Sequence, residues 1–124
     1  MKIATKKQLD FCIKADLMMN RGCFKQSYIR RIYQLFVPDY LMEYLFAMRK
    51  LNYYTPPSLH TMNLFVRLTY YFRLPLYFYY KRKYILLGYK LGFSIGEFCC
   101  GYGLVLHHHG TIVVGVNNRI GNYA

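Results

Sequence analysis

The stretch from Leu91 to Ala124, LGFSIGEFCCGYGLVLHHHGTIVVGVNNRIGNYA, decides how the rest of the chain is read. It is rich in Gly, β-branched residues and His, and its only charged residues are Glu97 and Arg119. Its apolar residues recur at intervals of six: Cys100, Leu106 and Ile112 form one series, and Val114 and Ile120 form a second, offset by two. Such an interval matches neither the 3.6-residue period of an α-helix nor the two-residue alternation of a strand. It fits a hexapeptide-repeat solenoid, in which each short strand sends one apolar side chain into a narrow core before the chain turns. Ile120-Gly121-Asn122 has the form of one repeat: an aliphatic residue, Gly, then a small polar residue. The expected fold class is α+β, with an N-terminal helical region at 1–90 followed by the first coils of a left-handed parallel β-helix at 91–124.

Residue order adds to the period. The segment Gly101-Tyr102-Gly103-Leu104-Val105-Leu106-His107-His108-His109-Gly110-Thr111-Ile112-Val113-Val114 resembles the part of serine O-acetyltransferases that carries the catalytic histidine. It is most similar to the branch found in polysaccharide gene clusters, with its pattern G-x-G-L-x-I-x-H-x-G-T-I-V-V. Lys90 to Ile95 continues the match, and Met48-Arg49-Lys50-Leu51-Asn52-Tyr53-Tyr54 looks like the family's L-R-K-x-E-Y-Y, with Asn52 in place of Glu. The resemblance covers about residues 90–120 closely and the earlier part loosely. It implies acetyl transfer from acetyl-CoA, as co-substrate, to the hydroxyl of L-serine, with His108 as the general base and a homotrimer as the assembly.

The chemistry suits the residue. Acyl transfer to a hydroxyl needs a base, a role neutral imidazole fills near pH 7, and backbone amides in a Gly-containing turn can hold the oxyanion. Where well-studied members have an Asp in D-I-H-P to orient the histidine, this chain has Ser94-Ile95-Gly96-Glu97, so the orienting carboxylate and the Pro are missing. That departure leaves a sugar or polysaccharide hydroxyl open as the acceptor. Glu97 and Asp16 are the candidate substrate-binding carboxylates; Asp16 matches an acid that ends the first helix in the family, and each is weighed against an ordinary solvated acid. Three consecutive histidines suggest a metal, but neighbours in extended chain point to opposite sides, so no metal site is expected. Cys100 lies on the apolar series and Cys99 has no base fixed beside it, so neither is expected to be a nucleophile.

A β-helix coil takes roughly 18 residues and about three repeats are needed for stability, so 91–124 holds fewer than two coils. The sequence is therefore expected to be a C-terminally truncated copy, with most of the acetyl-CoA site beyond residue 124 and activity in question.

Outward from this stretch the chain changes character. It has 124 residues, 55% hydrophobic and 19% aromatic, which excludes a disordered chain. Of the 17 Lys and Arg all but Arg119, and of the five acids all but Glu97, precede Leu91, so the net charge of +12 belongs to 1–90. A basic surface attracts anions, among them the phosphates of CoA or an anionic membrane surface. Nucleic acid is not expected, because no helix-turn-helix, zinc or RNP pattern is present. A non-catalytic basic helical protein that binds a membrane or a partner is the alternative to the acyltransferase. The four cysteines lack C-x-x-C spacing and the start MKIATKKQLDF lacks an apolar signal core, which points to the cytoplasm. The apolar run from Thr69 to Leu87 is cut by Arg73, Pro75, Lys81, Arg82 and Lys83, so no transmembrane span is expected.

Periodicity predicts helices at 5–19, 27–36 and 39–52. A fourth is predicted from a Ser58 cap to Arg73, ended by Pro75, and a fifth over 76–87. In the first, Leu9, Ile13, Asp16 and Leu17 share a face, with Asp16 as its polar exception.

Overall fold

The computed structural model describes residues 1–23, 25, 27–56 and 64–124. Its elements run α1 (Lys6–Arg21), α2 (Tyr28–Phe36), α3 (Tyr40–Tyr54), α4 (Leu64–Leu91), β1 (Phe93–Ile95) and β2 (Ile112–Val114).

Local chemistry accounts for the helix ends. Thr5 closes a capping box with Gln8: the threonine hydroxyl accepts from the Gln8 amide, and the Gln8 side chain accepts from the Thr5 amide. Gly22 stops α1 in the left-handed region (φ 65°), and its amide reaches back to the Met18 carbonyl. Asp39 caps α3 by accepting from the Met42 amide. The apolar stripe of α3 is the centre of the core: Tyr44, Leu45, Met48 and Leu51 are buried, and Leu41 packs at its edge.

Pro75 does not end a helix. α4 runs through it as one element of 28 residues, replacing the two helices expected from the sequence. A proline removes one amide donor and frees the carbonyl four residues earlier. Pro75 and Tyr71 both lie on the exposed side, where water can satisfy that carbonyl. The expected Ser58 cap, like His60, lies outside the described residues.

The expected left-handed β-helix is the main correction. The chain is mostly helical, and the described residues show only β1 and β2, three residues each, paired in parallel with Phe93 opposite Ile112 and Ile95 opposite Val114, plus one parallel bridge between Cys100 and Ile120. The six-residue series does mark the inner side: Cys100 and Leu106 are buried, while Ile112, Val114 and Ile120 are partly so. What that side packs against differs from the expectation. Cys100, Leu104 and Leu106 join Leu17, Met42, Leu45 and Met48 in one cluster, with Ile112, Val114 and Ile120 packed against it, so the segment shares a single core with α1 and α3.

Gly92 makes the corner between α4 and β1 possible. It has φ 80°, and a Cβ there would sit 2.7 Å from the Gly110 carbonyl oxygen. At the same corner Tyr44 stacks on Tyr84 with ring centres 4.9 Å apart, and the Tyr84 hydroxyl donates to the Ile95 carbonyl. No helix among the described residues is long and apolar enough to cross a membrane.

Candidate functional site

The segment before the three histidines is held from below by a buried ion pair. Asp16 of α1 and Arg49 of α3 are both 0% exposed. Arg49 grips the carboxylate with two nitrogens, Nε to Oδ2 at 2.7 Å and Nη2 to Oδ1 at 3.1 Å. The same guanidinium donates to the carbonyls of Cys100 (3.3 Å) and Gly101 (2.5 Å). Asp16 Oδ1 also accepts from the amides of Gly103 (2.8 Å) and Leu104 (3.0 Å). Asp16 is thus a structural acid inside the protein, contrary to its reading as a solvated residue, and its oxygens are occupied.

One turn further along α1, Asn20 extends this clamp. Residues four apart share a helix face. The Asn20 amide nitrogen donates to the carbonyls of Leu104 (2.7 Å) and Asp16 (2.8 Å), and its oxygen accepts from the Leu106 amide (3.0 Å). Six backbone groups between Cys100 and Leu106 are therefore satisfied by three side chains from the helices. In a solenoid those groups would pair with the chain's own neighbouring coils.

His107, His108 and His109 follow as an exposed loop fixed at both ends. Leu106 is buried on one side; on the other, the Gly110 amide donates to the Leu91 carbonyl at 2.9 Å. The rings of His107 and His108 are 6.2 Å apart and tilted by 44°. His108 is exposed and, among the described residues, makes no hydrogen bond.

Glu97 is not brought to His108 as an orienting acid; its carboxylate pairs with Lys81 of α4. Ser94 is exposed in β1. Cys99 donates its thiol to the Gly115 carbonyl at 3.2 Å, and burial pushes the Cys100 thiol up from its ordinary value. A thiol kept protonated is a poor nucleophile. Among the described residues no group of three His, Cys, Asp or Glu side chains gathers around one point.

The cleft beside the loop takes in His109 instead of His108. About 400 Å³ in volume, it is lined by Arg21, Arg30, Tyr33, Asp39, Tyr40 and His109, among others. Arg21 is paired with Asp39 at 2.5 Å, which leaves Arg30 as its unneutralised cation. Neither arginine stands out in the sequence, since α1 and α2 bring them to the loop only through folding. Arg49 was missed as well, although it stands one turn after the buried Leu45 on α3.

No family model, curated protein or solved structure matches the chain.

Proposed function

We propose that this chain is an O-acyltransferase of the serine acetyltransferase kind, transferring acetyl from acetyl-CoA to the hydroxyl of L-serine with His108 as the general base. The observation that carries this is the His108 loop: an exposed imidazole without a hydrogen-bond partner among the described residues, on a loop held before it by the Asp16–Arg49–Asn20 clamp and after it by the Gly110 amide on the Leu91 carbonyl. A base must present a free nitrogen to the hydroxyl proton, and a fixed loop limits the ordering required when substrate binds. The reading rests on the residue pattern from Gly101 to Val114 and on this loop.

The balanced reaction is short. A ring nitrogen of His108 takes the hydroxyl proton as the oxygen attacks the thioester carbonyl. The new C–O bond forms, the C–S bond breaks, and the proton passes to the leaving thiolate, which regenerates neutral imidazole. Arg30 in the adjacent cleft is placed to attract an anionic group of a substrate. We place the protein in the reducing cytoplasm, a reading supported by its four free cysteines.

The test is product identification. The purified protein is incubated with acetyl-CoA and, separately, L-serine or a panel of free sugars, and products are read by mass spectrometry. O-acetylserine formed by wild type and absent with His108→Ala supports the proposal. Acetylated sugar without acetylated serine moves the acceptor to a saccharide. No acetylated product from folded protein with either acceptor overturns acyl transfer.

A further inference from the structure

We propose that the outer face of α4 docks on an anionic lipid bilayer, with the helix lying on the surface without crossing it. This is independent of acyl transfer.

α4 has two apolar faces and only one is covered. On the inner side Tyr84, Leu87 and Leu91 are buried against α3 and β1. On the opposite side Leu68, Phe72, Tyr79, Leu86 and Tyr89 recur at helical spacing and are exposed, Phe72 by 80% and Tyr89 by 81%. A soluble helix normally turns charged residues outward, and one that is apolar all round needs cover on both sides.

Charge selects the occupant. Within Leu64–Leu91 there is no Asp or Glu, while Arg67, Arg73, Lys81, Arg82, Lys83 and Lys90 are all basic. Elsewhere the acids are already engaged: Asp16 with Arg49, Asp39 with Arg21, Glu97 with Lys81 and Glu43 with Lys83. Only Asp10 is left to offset the remaining cations, and the chain carries +12. Two copies meeting through such a face would bring like charges together with no acid to receive them. An anionic bilayer supplies both an apolar layer for the rings and leucines and negative headgroups for Lys and Arg. Tyrosine, abundant along α4, suits the depth at which a polar tip must meet water.

A second feature extends this surface. A cleft of about 450 Å³ opens beside Tyr79, with Ile13, Leu17 and Phe46 as apolar lining and Lys14, Lys25 and Lys50 around it, set against one acid, Asp10; its fourth lysine, Lys83, is paired with Glu43. It offers a place for a phosphate-bearing headgroup next to the apolar face. Spanning is ruled out for α4, which is interrupted by Pro75 and by the run Lys81-Arg82-Lys83 and is not apolar enough to cross.

The test is flotation of the full chain with phosphatidylcholine vesicles, with and without phosphatidylserine. The folded protein is expected to float with phosphatidylserine vesicles, weakly with phosphatidylcholine alone, and less as salt rises. Phe72→Ser with Leu86→Ser, both at exposed positions, is expected to weaken binding at least about tenfold with unchanged far-UV circular dichroism. Arg82→Glu is expected to weaken it by roughly fivefold or more. Absence of binding, equal binding to both vesicle types, or wild-type binding by the Phe72/Leu86 variant would overturn the proposal. So would a dimer that this variant dissolves, which would assign the face to a second copy.

Discussion

Replacing Asp16 with Asn keeps the side chain's shape and one acceptor oxygen but removes the charge that balances Arg49. Both groups are fully buried, so the guanidinium has no access to water. Breaking one side of a buried pair costs about 3–5 kcal/mol. That is a large part of the roughly 5–15 kcal/mol that holds an ordinary domain together. The double replacement Asp16→Leu with Arg49→Met discriminates more sharply. Where a buried pair serves only itself, its exchange for well-packed apolar residues is often neutral or stabilising. Here the pair also satisfies the carbonyls of Cys100 and Gly101 and the amides of Gly103 and Leu104. Four backbone groups would be left buried without partners, each costing about 1–3 kcal/mol. The double variant should therefore be destabilised by at least about 4 kcal/mol and show no recovery over the single variants. The assay is urea unfolding followed by far-UV circular dichroism, read as a double-mutant cycle. A double variant within about 1 kcal/mol of wild type would refute the role given to the clamp.

Other positions carry separate expectations. His108→Ala should leave unfolding free energy within about 0.5 kcal/mol of wild type, since the ring is exposed, so any loss of activity in that variant would reflect chemistry. Gly92→Ala should destabilise by more than about 1 kcal/mol, because it combines positive φ with a clash against the Gly110 carbonyl; a melting temperature equal to wild type would contradict the corner described here. Burial raises the Cys12 and Cys100 thiols, and burial also raises the Tyr44 and Tyr84 phenols. These groups keep their protons in the folded state after the unfolded chain has lost them, so their contribution is fully present below about pH 9 and declines as pH rises through the thiol and phenol ranges. Melting temperature should fall steadily from pH 9 to 11, and a flat profile would show that these groups are not buried as described.

How much of this was legible in the sequence differs from element to element. The starts of α1 and α3 were readable: the helices expected at 5–19 and 39–52 begin at Thr5 and Asp39, the residues that cap Lys6–Arg21 and Tyr40–Tyr54. The burial of Asp16 had a visible sign, its place on the apolar face with Leu9, Ile13 and Leu17, but the sign was ambiguous alone. An acid on that face is either a surface exception or half of a pair, and its partner lies 33 positions away in another helix. Pro75 misled because a proline's cost depends on whether the freed carbonyl meets water, which is a matter of orientation. The six-residue series located inward-facing residues such as Cys100 and Leu106, but a period cannot say what lies opposite them. Here it was α1 and α3, and the expected solenoid gave way to a segment clamped onto helices. Arg30 and the cleft beside His109 had no local signature, because Arg21, Arg30, Asp39 and His109 are far apart in sequence and line one cleft only in the folded chain.

The central claim is that His108 does chemistry while the clamp beneath it provides structure. Its most direct test is the rate of thiol release from acetyl-CoA, with and without L-serine, for wild type and His108→Ala at matched concentrations of folded protein. Serine-dependent release that disappears in the variant is the expected result. Release that persists in the variant, or none from folded wild type, would contradict it.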